Sequence, residues 1–220
     1  MDSKKRIAHV LTKMDVGGAE TFIMNVYRNI DRSKYNFDFI VYSDEEGEFD
    51  KEIKSLGGRI FRITSPGKNI IKYLKDFYSI CKKEKFDVIH SHAHHFSGIN
   101  SVIAKLAGIK VIISHSHTTV SDNTGSMPVK VYRKIMTKLI KIFSTNLLAC
   151  SDEAAEALFK DIKNPKVSIV NNGIEINRFI KNSYSKEECR EKLGLPRDSY
   201  IIGNVGRFRS EKNHNFMIDL

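Results

Sequence analysis

Short apolar, β-branched runs alternate along the chain with longer segments in which apolar residues recur every three or four positions. The short runs at 6–11, 37–42, 59–63, 87–90, 110–114, 146–150 and 167–170 predict strands. The longer segments at 19–29, 50–56, 70–84, 97–107, 129–143 and 152–159 predict helices. Over 70–84, Ile70, Ile71, Leu74, Phe77, Tyr78 and Cys81 carry the helical spacing, and Gly57-Gly58 and Gly108 stand where helices should stop. Strands that alternate with helices in this way imply an α/β fold, a doubly wound parallel sheet covered on both faces.

After Phe179 the pattern breaks into a polar stretch. A short helix is predicted at 185–193, stopped by Gly194 and Pro196, then a strand at 199–205, a loop to 213 and the opening of a helix at 215–220. The expected organisation is a first domain over 1–180, a linker over 181–198, and the start of a second α/β domain over 199–220. A second such domain would need about 100 further residues, so the chain reads as a fragment or a truncated product.

With 41% apolar and 28% charged positions among its 220 residues the chain can build a core, which excludes a disordered polymer. No apolar run approaches the ~20 residues of a membrane span, and the charged start runs into an apolar segment too short for a signal peptide. A cytoplasmic protein is expected. Cys81, Cys150 and Cys189 are odd in number and widely spaced, so they read as reduced thiols. The net charge of +10 is local: 127–146 holds five basic residues and no acid, and 68–86 holds six lysines against Asp76 and Glu84. No exposed aromatics interleave with arginines as a nucleic-acid platform requires, so nucleic acid is not an expected partner.

Candidate chemistry gathers at strand ends. Gly17 and Gly18 lie between the first strand and helix, where they form either a tight turn or an anion site on the free N–H groups of the helix start. Of eight histidines, His90, His92, His94 and His95 follow one strand and His115 and His117 the next. Ligands of open α/β sheets sit outside the carboxyl ends of strands, so one or two of these six are expected to bind or act on substrate. A metal is not expected, because no carboxylate accompanies the histidines. Asn172 and Gly173 suit a turn with positive φ after another strand, and Arg207 and Lys212 in a later loop offer a clamp for a diphosphate.

Taken in order, GGAET, VIHSHAHH, ISHSHTT, ACSDEAAEALF, VNNGIEINRF and VGRFRSEKNH resemble the family 4 retaining glycosyltransferases of the GT-B fold, nearest the capsular and exopolysaccharide branch. The resemblance implies two Rossmann-like domains, the first holding the acceptor and the second a nucleotide-diphosphate sugar, with no cofactor. Gly17 and Gly18 match the loop over the donor phosphates, His117 the catalytic histidine, and Arg207 and Lys212 the diphosphate-binding pair. His92, Asn172 and Gly173 join the substrate-binding set. The family's paired glutamates are absent, and Glu187 and Glu188 do not replace them. The expected activity is hexosyl transfer to a glycan or lipid-linked acceptor in cell-surface polysaccharide synthesis, inactive in this piece alone. A sugar-nucleotide epimerase of the same architecture and a non-catalytic sugar- or nucleotide-binding remnant are the alternatives. A lysine arc of Lys130, Lys134, Lys138 and Lys141, opposite an apolar face that should pack on the sheet, suggests an anionic membrane as partner and a peripheral position at its inner face.

Overall fold

The computed structural model describes residues 4–119, 125–180, 184–206, 208 and 213–219, with the side chains of Arg178 and Phe179 outside the description. Two compact units emerge, Met1–Ile174 and Glu175–Leu220.

The first unit is a seven-stranded, wholly parallel sheet in the order β3-β2-β1-β4-β5-β6-β7. Its strands are β1 Lys5–Leu11, β2 Tyr35–Val41, β3 Arg59–Arg62, β4 Val88–Ser91, β5 Val111–Ser116, β6 Asn146–Ala149 and β7 Val167–Ile169. The intervening helices are α1 Gly18–Asn29, α2 Asp50–Ser55, α3 Ile70–Glu84, α4 Ser97–Leu106, α5 Met127–Phe143 and α6 Asp152–Phe159. A single 3-10 turn, His94–Phe96, leads into α4. The doubly wound α/β sheet expected from the alternation is the one observed. The strand order reverses between β1 and β4, which places the crevice of the sheet at their carboxyl ends.

Alternate residues of the central strands feed cores on the two faces of the sheet, and a third cluster forms where Leu147 and Ala149 of β6 meet Ala154, Leu158 and Phe159 of α6. Ala8, Val10, Ile40, Ile89 and Ile112 point to the α3 and α4 side, where they meet Tyr73, Phe77, Ile103 and Ala104. Leu11, Phe37, Phe39 and Val41 point to the α1 and α2 side and meet Ile23, Met24, Tyr27 and Ile53. Burial of these apolar side chains, at roughly 25 cal/mol per Å², supplies the driving force. Burial also pushes the Cys81 thiol up to about 12, so it is neutral in the core.

Helix α4 packs closely on α5 because Gly98 leaves room for it. A Cβ at Gly98 would lie 2.7 Å from the Met136 carbonyl oxygen and 3.2 Å from the Met136 Cα. Backbone cannot yield as a flexible side chain would, so Gly98→Ala is expected to destabilise the protein by about 1–3 kcal/mol. Urea unfolding checks this, and a change below about 0.5 kcal/mol would refute it.

Helix α5 departs from its expected burial. Met136 and Ile140 are buried, yet Tyr132 and Ile135, assigned to the same packed face, are 39% and 50% exposed. The buried stripe of α5 is Met136, Thr137 and Ile140, and Ile135 lies about 100° round the helix from Met136, so the inward face is narrower than the apolar spacing suggests.

In the second unit, α7 Asn177–Ile180, α8 Lys186–Lys192 and α9 His214–Ile218 are short. Ser185 and Glu188 close a capping box on α8, which gives Glu188 a structural role. The strand expected at 199–205 is not formed: no ladder partner for it exists among the described residues, and a lone run cannot satisfy its backbone groups as a strand.

Candidate functional site

The period of two along a strand explains the His-x-His pairs. In β4 and just beyond it, His90 and His92 share one face while Ser91 takes the other; His115 and His117 do the same around Ser116 at the end of β5. Strand pairing sets His90 beside His9 of β1, directly across the point where the strand order reverses. Four of the six histidines singled out in the sequence therefore converge, and His9 joins them. His94 and His95 instead form the 3-10 turn, His94 with a left-handed φ of 49°, their rings 4.4 Å apart edge to face.

The five rings are joined by hydrogen bonds between imidazole nitrogens. His9 Nδ1 lies 3.0 Å from His92 Nε2, His92 Nδ1 lies 2.7 Å from His117 Nε2, and His90 Nε2 lies 3.1 Å from His115 Nδ1. Burial holds all five imidazoles neutral. It is the main cause that pulls His9 down to about 3 and His115 to about 2, with charge repulsion from neighbouring histidines second. Desolvation alone pulls His117 to about 4, and it leads in His90 and His92, which fall well below the ordinary value.

The serines that alternate with these histidines build a second polar layer on the opposite face. Ser91 Oγ meets Ser97 Oγ at 3.0 Å and accepts from Asn100 Nδ2, whose amide oxygen accepts from Tyr73 Oη at 2.6 Å. Ser101, Ser114 and Ser144 share hydroxyl bonds of 2.8–3.3 Å. This network ties α4 to β4 and β5 and so fixes the strand ends that present the histidines. Neither it nor His9 was foreseen. The only signal for His9 was a polar residue at an alternate position of an otherwise apolar strand.

The glycine loop opens the helix that packs on the cluster. Gly17 caps α1 in an extended conformation with no side-chain bond to the helix start, and a Cβ on Gly18 would meet nothing within 4 Å. One turn along, the Phe22 ring stands 5.7 Å from His115 and 6.1 Å from His117. Through Phe22, α1 thus borders the histidine cluster. Asn172 and Gly173, expected to take positive φ, do not; the Gly173 carbonyl instead accepts from Asn25 Nδ2 of α1 at 3.1 Å, which holds the loop after β7 in ordinary conformations. Arg207 and Lys212 lie outside the described residues.

Three-histidine groups invite a metal, and one nitrogen of each of His92, His115 and His117 lies within 4.8 Å of the others, as is true of His9, His90 and His92. An all-imidazole set suits zinc, copper or nickel and not the oxygen-seeking magnesium or calcium. The spacing argues for proton sharing. Two nitrogens bound to one tetrahedral zinc at about 2.0–2.1 Å stand about 3.3–3.4 Å apart, and the pairs at 2.7 and 3.0 Å are closer than that.

Residues 16–178 match Glycosyltransferase Family 4. The chain belongs to that family. It is 35% identical over 222 residues to EpsF of Bacillus subtilis strain 168, covering 99% of this chain and 58% of EpsF. It is 30% identical to the capsular polysaccharide biosynthesis glycosyltransferase CapH of Staphylococcus aureus, over 98% of this chain and 57% of CapH. This family 4 chain thus spans little more than half the length of the curated relatives it matches. Its fold is that of Anabaena Alr3699/HepE, solved in complex with UDP, with a TM-score of 0.65 at 15% identity over 86% of this chain and 50% of the other.

Proposed function

We propose that the chain is the acceptor-side half of a retaining glycosyltransferase that moves a sugar from a nucleotide diphosphate to a glycan or lipid-linked acceptor in cell-surface polysaccharide synthesis. The observation that carries this reading is the placement of His117, in a family 4 chain, at the carboxyl end of β5 beside Phe22 of α1. The protein's share of the chemistry is positioning and electrostatics. The Gly17 and Gly18 amides stabilise negative charge on the departing diphosphate, and His117 orients the transferred sugar. Arg207 and Lys212 are assigned to the diphosphate on their motif alone, and Asn172 and Gly173 to the substrate on their position after a strand; His92, expected in the substrate-binding set, has both ring nitrogens bonded to His9 and His117.

The test is transfer of label from nucleotide-diphosphate sugars to a lipid-linked acceptor by residues 1–220 joined to the second half found in the longer relatives. Label in the acceptor supports the reading. An epimerised free sugar nucleotide with no transfer would point to the epimerase instead.

A membrane surface belongs to the same proposal. No helix among the described residues is long and apolar enough to cross a membrane. Helix α5, however, exposes Met127, Val131, Tyr132 and Ile135 among Lys130, Lys134 and Lys138. A groove of about 540 Å³ beside it is lined by Lys130, Arg133, Lys134, Lys138, Lys141 and Lys160. Apolar groups among cations fit the boundary of an anionic leaflet, where each lysine contributes about 1 kcal/mol before screening. Salt-sensitive binding to anionic but not neutral vesicles is expected, weakened when Lys130, Lys134, Lys138 and Lys141 are changed together to Glu. Equal sedimentation with both vesicle types, or no effect of the substitutions, removes the membrane from the account.

A further inference from the structure

Three strand exits on the carboxyl edge of the sheet are tied together, and the tie ends at the glycine loop. After β1 the chain runs through Met14, fully buried, and Asp15 to the exposed Val16, and then to Gly17 and Gly18. The loop after β2, residues 43–49, lies against this exit. Phe49 N–H donates to the Met14 carbonyl at 3.0 Å, and Glu48 N–H donates to Asp15 Oδ1 at 3.3 Å. Lys13 Nζ adds ion pairs with Glu45 at 3.0 Å and Asp15 at 3.3 Å, and because both carboxylates are exposed these contribute little.

The two loops meet without a gap at Gly47. A Cβ there would lie 2.7 Å from the Met14 carbonyl carbon, closer still to its oxygen, and 3.0 Å from Asp50 Oδ1. The backbone at Gly47 is not left-handed, so closeness of approach and not conformation is what requires the glycine. Arg62, the last residue of β3, fixes the far side of the same loop. Its Nη1 donates to the carbonyls of Ser43 at 3.1 Å and Glu45 at 2.8 Å, and its Nη2 to the buried carboxylate of Asp50. Asp50 N–H in turn donates to the Gly47 carbonyl at 3.0 Å. One planar guanidinium thus holds both ends of the loop, which the point charge of a lysine cannot do.

Gly17 and Gly18 have no side chains with which to fix their own peptides. The direction of those peptides is inherited from what flanks them, α1 on one side and Met14 and Asp15 on the other. We propose that Gly47 and Arg62 are positioning residues for the glycine loop: they brace Met14 and Asp15 so that the Gly17 and Gly18 amides meet the donor diphosphate in one arrangement. The role toward a donor rests on the transferase reading above; the brace does not. A loop that served stability alone could be loosened without moving the glycine amides or weakening the donor selectively.

Gly47→Ala and Arg62→Lys test this, with Gly98→Ala as a control that loosens the contact of α4 with α5. In the 220-residue chain, 1H–15N spectra should show the Gly17 and Gly18 amide signals displaced in both variants and unmoved in the control. Arg62 makes its bonds with residues 43, 45 and 50, so a displacement in Arg62→Lys reports transmission through the loop. In residues 1–220 joined to the second half found in the longer relatives, KM for the UDP- or GDP-sugar that is transferred should rise about tenfold in both variants, the scale of one charge-assisted hydrogen bond. KM for the acceptor should stay unchanged. Loss of folded protein alone would lower kcat and leave both KM values in place, as expected for Gly98→Ala. Should Gly47→Ala fail to fold, Arg62→Lys, which keeps the charge beside Asp50, decides. Glycine signals that stay in place in that variant overturn the brace. Displaced signals with an unchanged donor KM, or an equal rise in both KM values, overturn its role toward the donor. Absence of transfer by the unsubstituted joined enzyme overturns the transferase reading instead, and the amide signals then decide the brace.

Discussion

Replacement of His117 by Ala is expected to lower kcat of the complete transferase by about 10²–10⁴-fold, the loss usual for an oriented active-site group. The expectation follows from place and partners. His117 is the outermost ring of the hydrogen-bonded chain, its neighbour His92 holds it at 2.7 Å, and its remaining nitrogen is unpartnered. His115 pairs with His90 and is 1% exposed, so His115→Ala should cost far less in kcat and show mainly as lost stability. His92→Ala should fall between the two, since it leaves His117 in place but removes the ring bonded to it at 2.7 Å. Steady-state kinetics at saturating donor separate these effects from binding. Equal and small losses at all three positions would return the histidines to a purely structural role.

Acid should unfold this protein from a higher pH than carboxylates alone would predict. The histidines have folded values below the ordinary imidazole value of about 6.5, His117 at about 4, His9 at about 3 and His115 at about 2, with His90 and His92 shifted the same way. For a group with a depressed value the unfolded chain takes up the proton first. Stability is therefore fully present above about pH 6.5 and falls as pH drops from there toward the folded values. Each independent imidazole adds a slope of up to about 1.4 kcal/mol per pH unit, and coupling within the cluster and partial solvent access to His117 reduce the total. Urea midpoints measured from about pH 7.5 down to 5 should decline steadily. A flat profile across that window would mean that the rings are solvated or already charged.

What could be read from the linear chain was local in origin. Helical spacing located α3 at Ile70–Glu84 and α6 at Asp152–Phe159 without help from tertiary contacts, because their apolar stripes recur with the helix's own period. The His-x-His pairs were legible in the same way, since a period of two puts both members on one face of a strand. Local pattern misled where partners were required. The run at 199–205 has β-branched residues and no ladder to join among the described residues, and Tyr132 and Ile135 have helical spacing yet stand outside the buried stripe of α5.

The composition of the site was decided by strand order alone. Residues 9, 90 and 115 are far apart in sequence, and only the placement of β1 next to β4, with β5 beyond, brings their rings together. No local propensity encodes that order, because it depends on which crossover lets both faces of the sheet be buried. Once the sheet closes over these rings, desolvation removes their charge and leaves each with one proton to place. The sequence by itself determined that histidines would stand at strand ends; the packed sheet decided that five of them meet, that they are neutral, and that they bond to one another.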